Sequence, residues 1–234
     1  MSLYVIADLH LSLGTNKPMD IFGDNWLNHD EKIANDWKNK VKDDDLVVIP
    51  GDFSWAMDLK DTILDFEYLS KLPGKKLILK GNHDYWWTTL SKMRRFLEEH
   101  NFKDIDFIQN NFYEFEDHII TGTHGWVIDD DEDNKRLIKR EQVRLKLELE
   151  AIKEEYGDKK EIIVFMHYPP YVKENGSFIN PFAELLEDFK IKEVYYGHLH
   201  GSQAYGDIED FEVNGTTYKL ISADYLNFQL KKIF

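Results

Sequence analysis

Five short apolar runs, Leu3–Ala7, Leu46–Pro50, Lys76–Leu79, Ile162–Met166 and Glu193–Tyr196, are each followed by side chains able to bind a metal. The first leads into Asp8-Leu9-His10 and the second into Gly51-Asp52. After the third comes Gly81-Asn82-His83-Asp84, after the fourth His167, and after the fifth Gly197-His198-Leu199-His200. Each run is too short for a helix, rich in β-branched or aromatic residues, and without alternation of apolar and polar positions, as expected of strands covered on both faces. In layered α/β sheets ligands bind at the carboxyl ends of the strands. Parallel, neighbouring strands would therefore bring these groups to one spot.

The segments between the runs have helical spacing. Glu31–Val41 places Ile33, Ala34, Trp37 and Val41 on one face, and Thr62–Leu72 does so with Ile63, Phe66 and Leu69 before Pro73-Gly74 ends it. Ser91–His100 offers Met93, Phe96 and Leu97. Asp106–Thr121 reads as short strands around a turn at Glu116-Asp117, and Glu212–Ser222 as strands around an Asn214-Gly215 hairpin turn. The strongest helical segment, Asn134–Tyr156, carries a stripe of Ile138, Leu145, Leu149, Ile152 and Tyr156 without sustained heptads, so it is expected to pack on its own sheet. The alternation of strand and helix argues an α/β layered fold. With no repeat and no low-complexity linker, residues 1–234 read as one domain.

The donors explain each other best as a metal site. Three carboxylates (Asp8, Asp52, Asp84) and five histidines (His10, His83, His167, His198, His200) brought together would repel or shift their protonation unless a cation organised them. Asp8, His10, Asp52, Asn82, His167, His198 and His200 make seven potential ligands, more than one ion with open positions would use. Two ions would use them if a carboxylate bridged, and Asp52 is the natural candidate. Imidazole, carboxylate and amide donors suit manganese, iron or zinc, and suit calcium poorly.

The ordered series Asp8-x-His10, Gly51-Asp52, Gly81-Asn82-His83-Asp84, His167 and Gly197-His198-x-His200 resembles the calcineurin-like metallophosphoesterase superfamily, with its blocks in the family's order from residue 8 to residue 200. The resemblance implies a four-layer α/β/β/α sandwich of two mixed β-sheets flanked by helices. It implies one metal held by Asp8, His10, Asp52 and His200, and a second by Asp52, Asn82, His167 and His198. The implied reaction is phosphoester hydrolysis: two ions lower the pKa of a bridging water, the hydroxide attacks phosphorus in line, and the metals neutralise the charge that builds. His83 resembles the family's non-ligand histidine, which protonates the leaving group or stabilises the transition state, with Asp84 orienting it or serving the turn. Asn82 and His83 would then also touch the substrate. The Gly197-His198-x-His200 ending and Asp84 after His83 look more like the bacterial phosphodiesterase and nucleotidase branches, while Gly51-Asp52 continues as Phe53-Ser54-Trp55-Ala56 and lacks the Asp and Arg of the protein serine/threonine phosphatases.

Other features narrow the partner. The formal charge of −15 repels polyanions and argues against extended nucleic acid or a nuclease acting on single-stranded ends, while leaving a small phosphorylated molecule compatible with bound cations. Absence of cysteine excludes disulfides, thiol nucleophiles and Cys-ligated zinc. No signal-peptide pattern and no run long enough to span a bilayer are read, so a cytoplasmic, membrane-free protein is expected. A non-catalytic scaffold of the same fold is expected to lack ligands, and here none is missing. His29, His100 and His118 sit in polar stretches and read as surface residues. His124, after an apolar run, reads equally as a phosphate contact or as a loop histidine. Trp55, Trp86 and Trp87 flank ligand blocks, with core packing favoured over a pocket wall. The acidic cluster Asp129–Asp133 reads as a solvated loop, with a lid as the alternative.

Overall fold

The computed structural model describes residues 1–174, 177–201 and 210–234. The first half alternates strictly: β1 (Leu3–Val5), α1 (His29–Lys40), β2 (Leu46–Pro50), α2 (Ile63–Ser70), β3 (Lys75–Leu79), α3 (Leu90–Glu99) and β4 (Ile105–Ile108). There follow β5 (Tyr113–Phe115), β6 (His118–Thr123), α4 (Glu132–Tyr156), β7 (Glu161–Met166), β8 (Val172–Glu174), β9 (Ser177–Ile179) and α5 (Ala183–Asp188). The chain closes with β10 (Glu193–Tyr196), β11 (Phe211–Val213), β12 (Thr216–Leu220) and β13 (Lys231–Lys232).

Two mixed sheets result. One has the order β13-β1-β2-β3-β4, parallel except for β13. The other has the order β11-β12-β10-β7-β6-β5, parallel at its centre with antiparallel edges. Side chains alternate across each strand, and here both faces are covered. Leu3, Val5, Leu46, Val48, Leu77 and Leu79 meet Ile120, Ile163, Phe165 and Tyr195 between the sheets. Tyr4, Val47, Ile49 and Ile78 point the other way, onto Ile33, Trp37, Phe66, Leu69, Met93, Phe96 and Leu97 of α1–α3. Val164, Met166 and Val194 pack on Leu145, Leu149 and Ile152 of α4 and Leu186 of α5. The four layers are thus helix, sheet, sheet, helix, and burial of both strand faces is why the runs show no alternation.

The donor-bearing strands are divided between the sheets: β1, β2 and β3 lie side by side in one, β7 and β10 in the other. Within each sheet the strands finish level, with Pro50 opposite Leu79 and Tyr196 opposite Met166. The sheets are tied together at this edge by the chain leaving β12. Ile221 N–H donates to Tyr196 O (2.8 Å) on one side, and Ala7 N–H donates to Ile221 O (2.8 Å) on the other. Ala223 N–H returns to Ala7 O (3.0 Å), which is why β1 ends at Val5 and Ala7 bridges to Ser222 instead.

Two elements carry no clear sequence signal, the six-residue α5 and the β8–β9 hairpin; both are too short to show a period. Within the acidic cluster, Asp131 caps α4, accepting from Asp133 N–H (2.9 Å) and Asn134 N–H (3.1 Å).

The apolar stripe of α4 is interrupted by two buried glutamates that face β6: Glu141 accepts from the Thr123 hydroxyl (2.7 Å), and Glu148 pairs with the Thr121 hydroxyl (2.5 Å). Burial foremost, aided by the charge of Glu141, pushes Glu148 up to about 8. A carboxyl whose folded pKa exceeds its unfolded value takes up a proton on folding, so its contribution is full below about 4.5 and is lost as pH rises to about 8. Glu148→Gln, which stays neutral and keeps an acceptor for Thr121, is expected to be more stable than the parent at pH 8 by about 2–3 kcal/mol and equal to it near pH 4. Urea unfolding at both pH values measures this. A constant difference across the range would contradict it.

Candidate metal centre

The donors emerge on tight turns with unusual backbone. Asp8 (φ 61°), His10 (46°), Asp52 (50°) and His198 (72°) all adopt the left-handed region that non-glycine residues avoid. Such conformations persist where surrounding bonds over-determine them. Here Asp8 N–H donates to Gly51 O (3.0 Å) and His10 N–H to Asp52 O (2.9 Å), locking the β1 and β2 turns together. Glycine is demanded at two neighbours. A Cβ on Gly81 would lie 2.1 Å from Asp52 Oδ1, and one on Gly197 would lie 2.4 Å from Asp8 Oδ2.

Two clusters of ligand atoms result: Asp8, His10 and His200 in one, and Asp8, Asp52 and His167 in the other, each within 4.8 Å. His10 Nε2 lies 3.2 Å from His200 Nε2 and 3.7 Å from Asp52 Oδ2. His200 Nε2 is 3.7 Å from Asp8 Oδ1. On the other side, His167 Nε2 is 3.6 Å from Asp52 Oδ1 and 2.7 Å from Asn82 Oδ1, and His198 Nδ1 is 2.8 Å from the same Asn82 oxygen. All seven residues named as ligands from the sequence therefore meet, contributed by both sheets.

The arrangement fits bound cations. Asp8 Oδ2 accepts from His198 N–H (2.9 Å), but its buried Oδ1 has no hydrogen-bond partner. Two imidazole nitrogens lie 3.2 Å apart and one amide oxygen lies 2.7–2.8 Å from two more, so potential ligand atoms face common points. Burial, with His200 nearby, holds His10 well below the ordinary imidazole range, and burial lowers His167 and takes His198 to about 4. These rings are neutral, the form that ligates a metal. Burial would raise Asp8, but His200 foremost, with His167 and His10, draws it below its usual value; Asp52, buried beside Asp8, is pushed well up. Burial opposes charge on His200, but Asp8 and Asp224 overcome it and raise the ring to about 10.

His83 sits at the rim. Its N–H donates to Asp52 Oδ1 (2.8 Å), its ring lies 4.4 Å from that of half-buried Trp55, and its Nδ1 has no protein partner. Burial first, then His167, lowers its pKa. Asp84 does not hydrogen-bond to that ring. Its buried carboxylate accepts from Phe53 N–H (2.9 Å), Ser54 N–H (3.1 Å), Trp86 Nε1 (3.0 Å) and Gly81 N–H (2.7 Å). Its placement suits the turn and not proton transfer. Burial and the Asp52 charge raise it to about 7.

His124 lies beside the centre, its ring stacked 5.7 Å from His167, its buried Nε2 without a partner, and burial takes it to about 2. His29 is not a surface residue. It is buried, with Nδ1 3.1 Å from Trp26 O and Nε2 3.0 Å from Leu9 O, so it braces the turn before His10. His100 is exposed, and His118 is half-buried against Phe234. Trp86 is core, whereas Trp55 stacks 5.0 Å from His10. Two residues went unread in the sequence: Trp26, edge-on to His10 and His200, and Asp224, 2.9 Å from His200 Nδ1. Asp224 follows the β12 run as the other donors follow theirs, and that was the available signal.

Carboxylates and imidazoles gathered at one edge of a helix-sheet-sheet-helix sandwich define a metal-dependent phosphoesterase. Residues 1–202 match the family described as calcineurin-like phosphoesterase, and the chain belongs to it. Solved structures share the fold across nearly the whole chain. The protein TT1561 of Thermus thermophilus aligns with a TM-score of 0.61 at 14% identity, covering 98% of this chain and 96% of that one. The phosphopantetheinyl hydrolase of Mycobacterium tuberculosis gives 0.57 at 12%, covering 100% and 95%. The protein of unknown function AQ665 from Aquifex aeolicus gives 0.51 at 15%, covering 99% and 95%. No curated protein matches the chain. Among the described residues no helix is long and apolar enough to cross a membrane.

Proposed function

We propose that the protein hydrolyses a small phosphorylated compound with a pair of cations, one held by Asp8, His10, Asp52 and His200 and the other by Asp52, Asn82, His167 and His198. The observation that carries this reading is the splayed carboxylate of Asp52, with Oδ2 toward His10 (3.7 Å) and Oδ1 toward His167 (3.6 Å). Bound manganese, iron or zinc would acidify a water and neutralise charge on the phosphoryl oxygens. The protein's own groups do the rest. Asn82, its oxygen turned to His167 and His198, presents its NH2 as a donor to a phosphoryl oxygen. His83, tethered by its own backbone to Asp52, hydrogen-bonds the leaving-group side and stabilises the charge that develops there in the transition state. His124 offers its unpartnered Nε2 as a further contact.

The positions after Asp52 are committed to the core. Phe53 is buried, and the Ser54 hydroxyl donates to Asp65, so no phosphate-gripping arginine belongs there. Instead Lys17 stands 4.6 Å over Trp55, beside His10 and His83, a cation and a flat surface at the mouth. This suits a compact anion better than a polyanion, which the −15 charge repels.

Manganese-loaded protein is expected to cleave an activated aryl phosphodiester or monoester. A panel of small phosphorylated compounds should include a phosphopantetheinyl substrate, after the mycobacterial neighbour's name. His83→Ala should lose about 10²-fold in kcat while metal analysis finds the same cation content. Unchanged turnover in that variant, or no phosphoester cleaved in the whole panel, would refute the assignment.

A further inference from the structure

We infer that Asp224 is a positioning residue for the metal centre, fixing the proton of His200 on Nδ1 so that Nε2 faces the cation site. The inference rests on the two-cation reading above and adds a residue beyond the family match, which ends at residue 202. Asp224 is buried, and both its oxygens are engaged on the His200 turn. Oδ1 lies 2.9 Å from His200 Nδ1, and Oδ2 accepts from Gly201 N–H at 2.9 Å. A carboxylate only accepts, so the imidazole must donate from Nδ1. The other ring nitrogen is then left toward Asp8 Oδ1 (3.7 Å) and His10 Nε2 (3.2 Å).

The main chain sets this placement. Asp224 comes three residues after Ile221, whose N–H and carbonyl join Tyr196 of β10 to Ala7, two residues past the end of β1. Ala223 N–H bonds Ala7 O (3.0 Å), and Phe228 N–H returns to Ala223 O (2.7 Å), closing a turn around Asp224. The carboxylate is therefore delivered between the turn bearing Asp8 and the turn bearing His200. A histidine ligand oriented by such a carboxylate binds metal more tightly, because its tautomer and ring angle are chosen in advance and its basicity is raised.

Zinc affinity, measured by competition against a chromophoric chelator, tests the inference without turnover. Asp224→Ala is expected to weaken the tighter zinc by about 10- to 100-fold, and Asp224→Asn, whose Oδ1 still accepts from Nδ1–H, by less. Proton NMR of the zinc-loaded protein should show a slowly exchanging Nδ1–H resonance that His200→Ala removes, Asp224→Asn keeps and Asp224→Ala loses. Unaltered affinity in both Asp224 variants, with the resonance retained in Asp224→Ala, would overturn the role. If Asp224→Ala does not fold, Asp224→Asn decides: affinity equal to that of the parent would overturn it. The two-cation reading stands or falls separately, on whether Asp8→Asn and His200→Ala bind zinc more weakly.

Discussion

Asp52→Asn is expected to lower phosphoesterase turnover by about 10⁴-fold and to leave the protein binding one cation instead of two. Asp52 turns its two oxygens toward different histidine rings, Oδ2 to His10 at 3.7 Å and Oδ1 to His167 at 3.6 Å. Asparagine keeps the volume but offers one neutral amide oxygen, a far weaker bridging ligand than a carboxylate, and the negative charge that the proposed bridge supplies is lost. Two losses compound. The charge clamp on the phosphoryl oxygens is worth several kcal/mol, and acidification of the attacking water goes with it. The fold should survive. Oδ1 can still accept from His83 N–H, and asparagine removes a carboxyl whose charge burial and Asp8 disfavour. The checks are kcat on an activated aryl diester and metal content per chain. Full activity at a stoichiometry of one would dismiss the bridge.

Asp84→Ala should instead unfold the protein easily while leaving every ligand in place. Three backbone N–H groups (Phe53, Ser54 and Gly81) and the Trp86 indole converge on its carboxylate. Each unpaired buried donor costs about 1–3 kcal/mol. Burial and Asp52 push Asp84 up to about 7, so its charge is itself costly, and deleting it recovers part of that sum. Four orphaned donors outweigh the recovery, and the expected net loss is about 4 kcal/mol, near the top of the range for single substitutions. For a chain of 234 residues this lowers the thermal midpoint by about 10 °C. Asp84→Asn should cost less, since its oxygen can serve Phe53, Ser54 and Trp86 while its NH2 opposes Gly81 N–H. A midpoint within about 2 °C of the parent for Asp84→Ala would show that the turn holds without it.

The sequence made the centre legible because two independent signals coincided. Runs such as Leu46–Pro50 and Glu193–Tyr196 are buried on both faces and so lack alternation, and each is followed directly by donors. The ends of these strands fell within a residue or two of the observed ones, since donors and glycines punctuate them. What periodicity could not reveal was long-range partnership. Nothing local says that β3 pairs with β4 while β7 joins β10 in a second sheet. For the same reason His29 looked like a surface residue: its two carbonyl partners belong to Trp26 and to the turn carrying Leu9. Asp84, from its place in Asn82-His83-Asp84, reads equally as orienting His83 or as serving the turn, and the four donors around it favour the turn. Asp224 is an ordinary acidic residue until the chain leaving β12 crosses between the sheets.

Asp8, Asp52 and Asn82 come from one sheet, while His167, His198 and His200 come from the other. Binding of a cation by these donors would therefore be thermodynamically linked to the docking of the two halves, since neither half alone brings them together. A metal held by donors from both would add its affinity to the free energy that keeps the sheets face to face, and chelation would withdraw it. The loaded centre would then act as a cross-link, with ambient metal concentration a term in how firmly the sandwich holds shut.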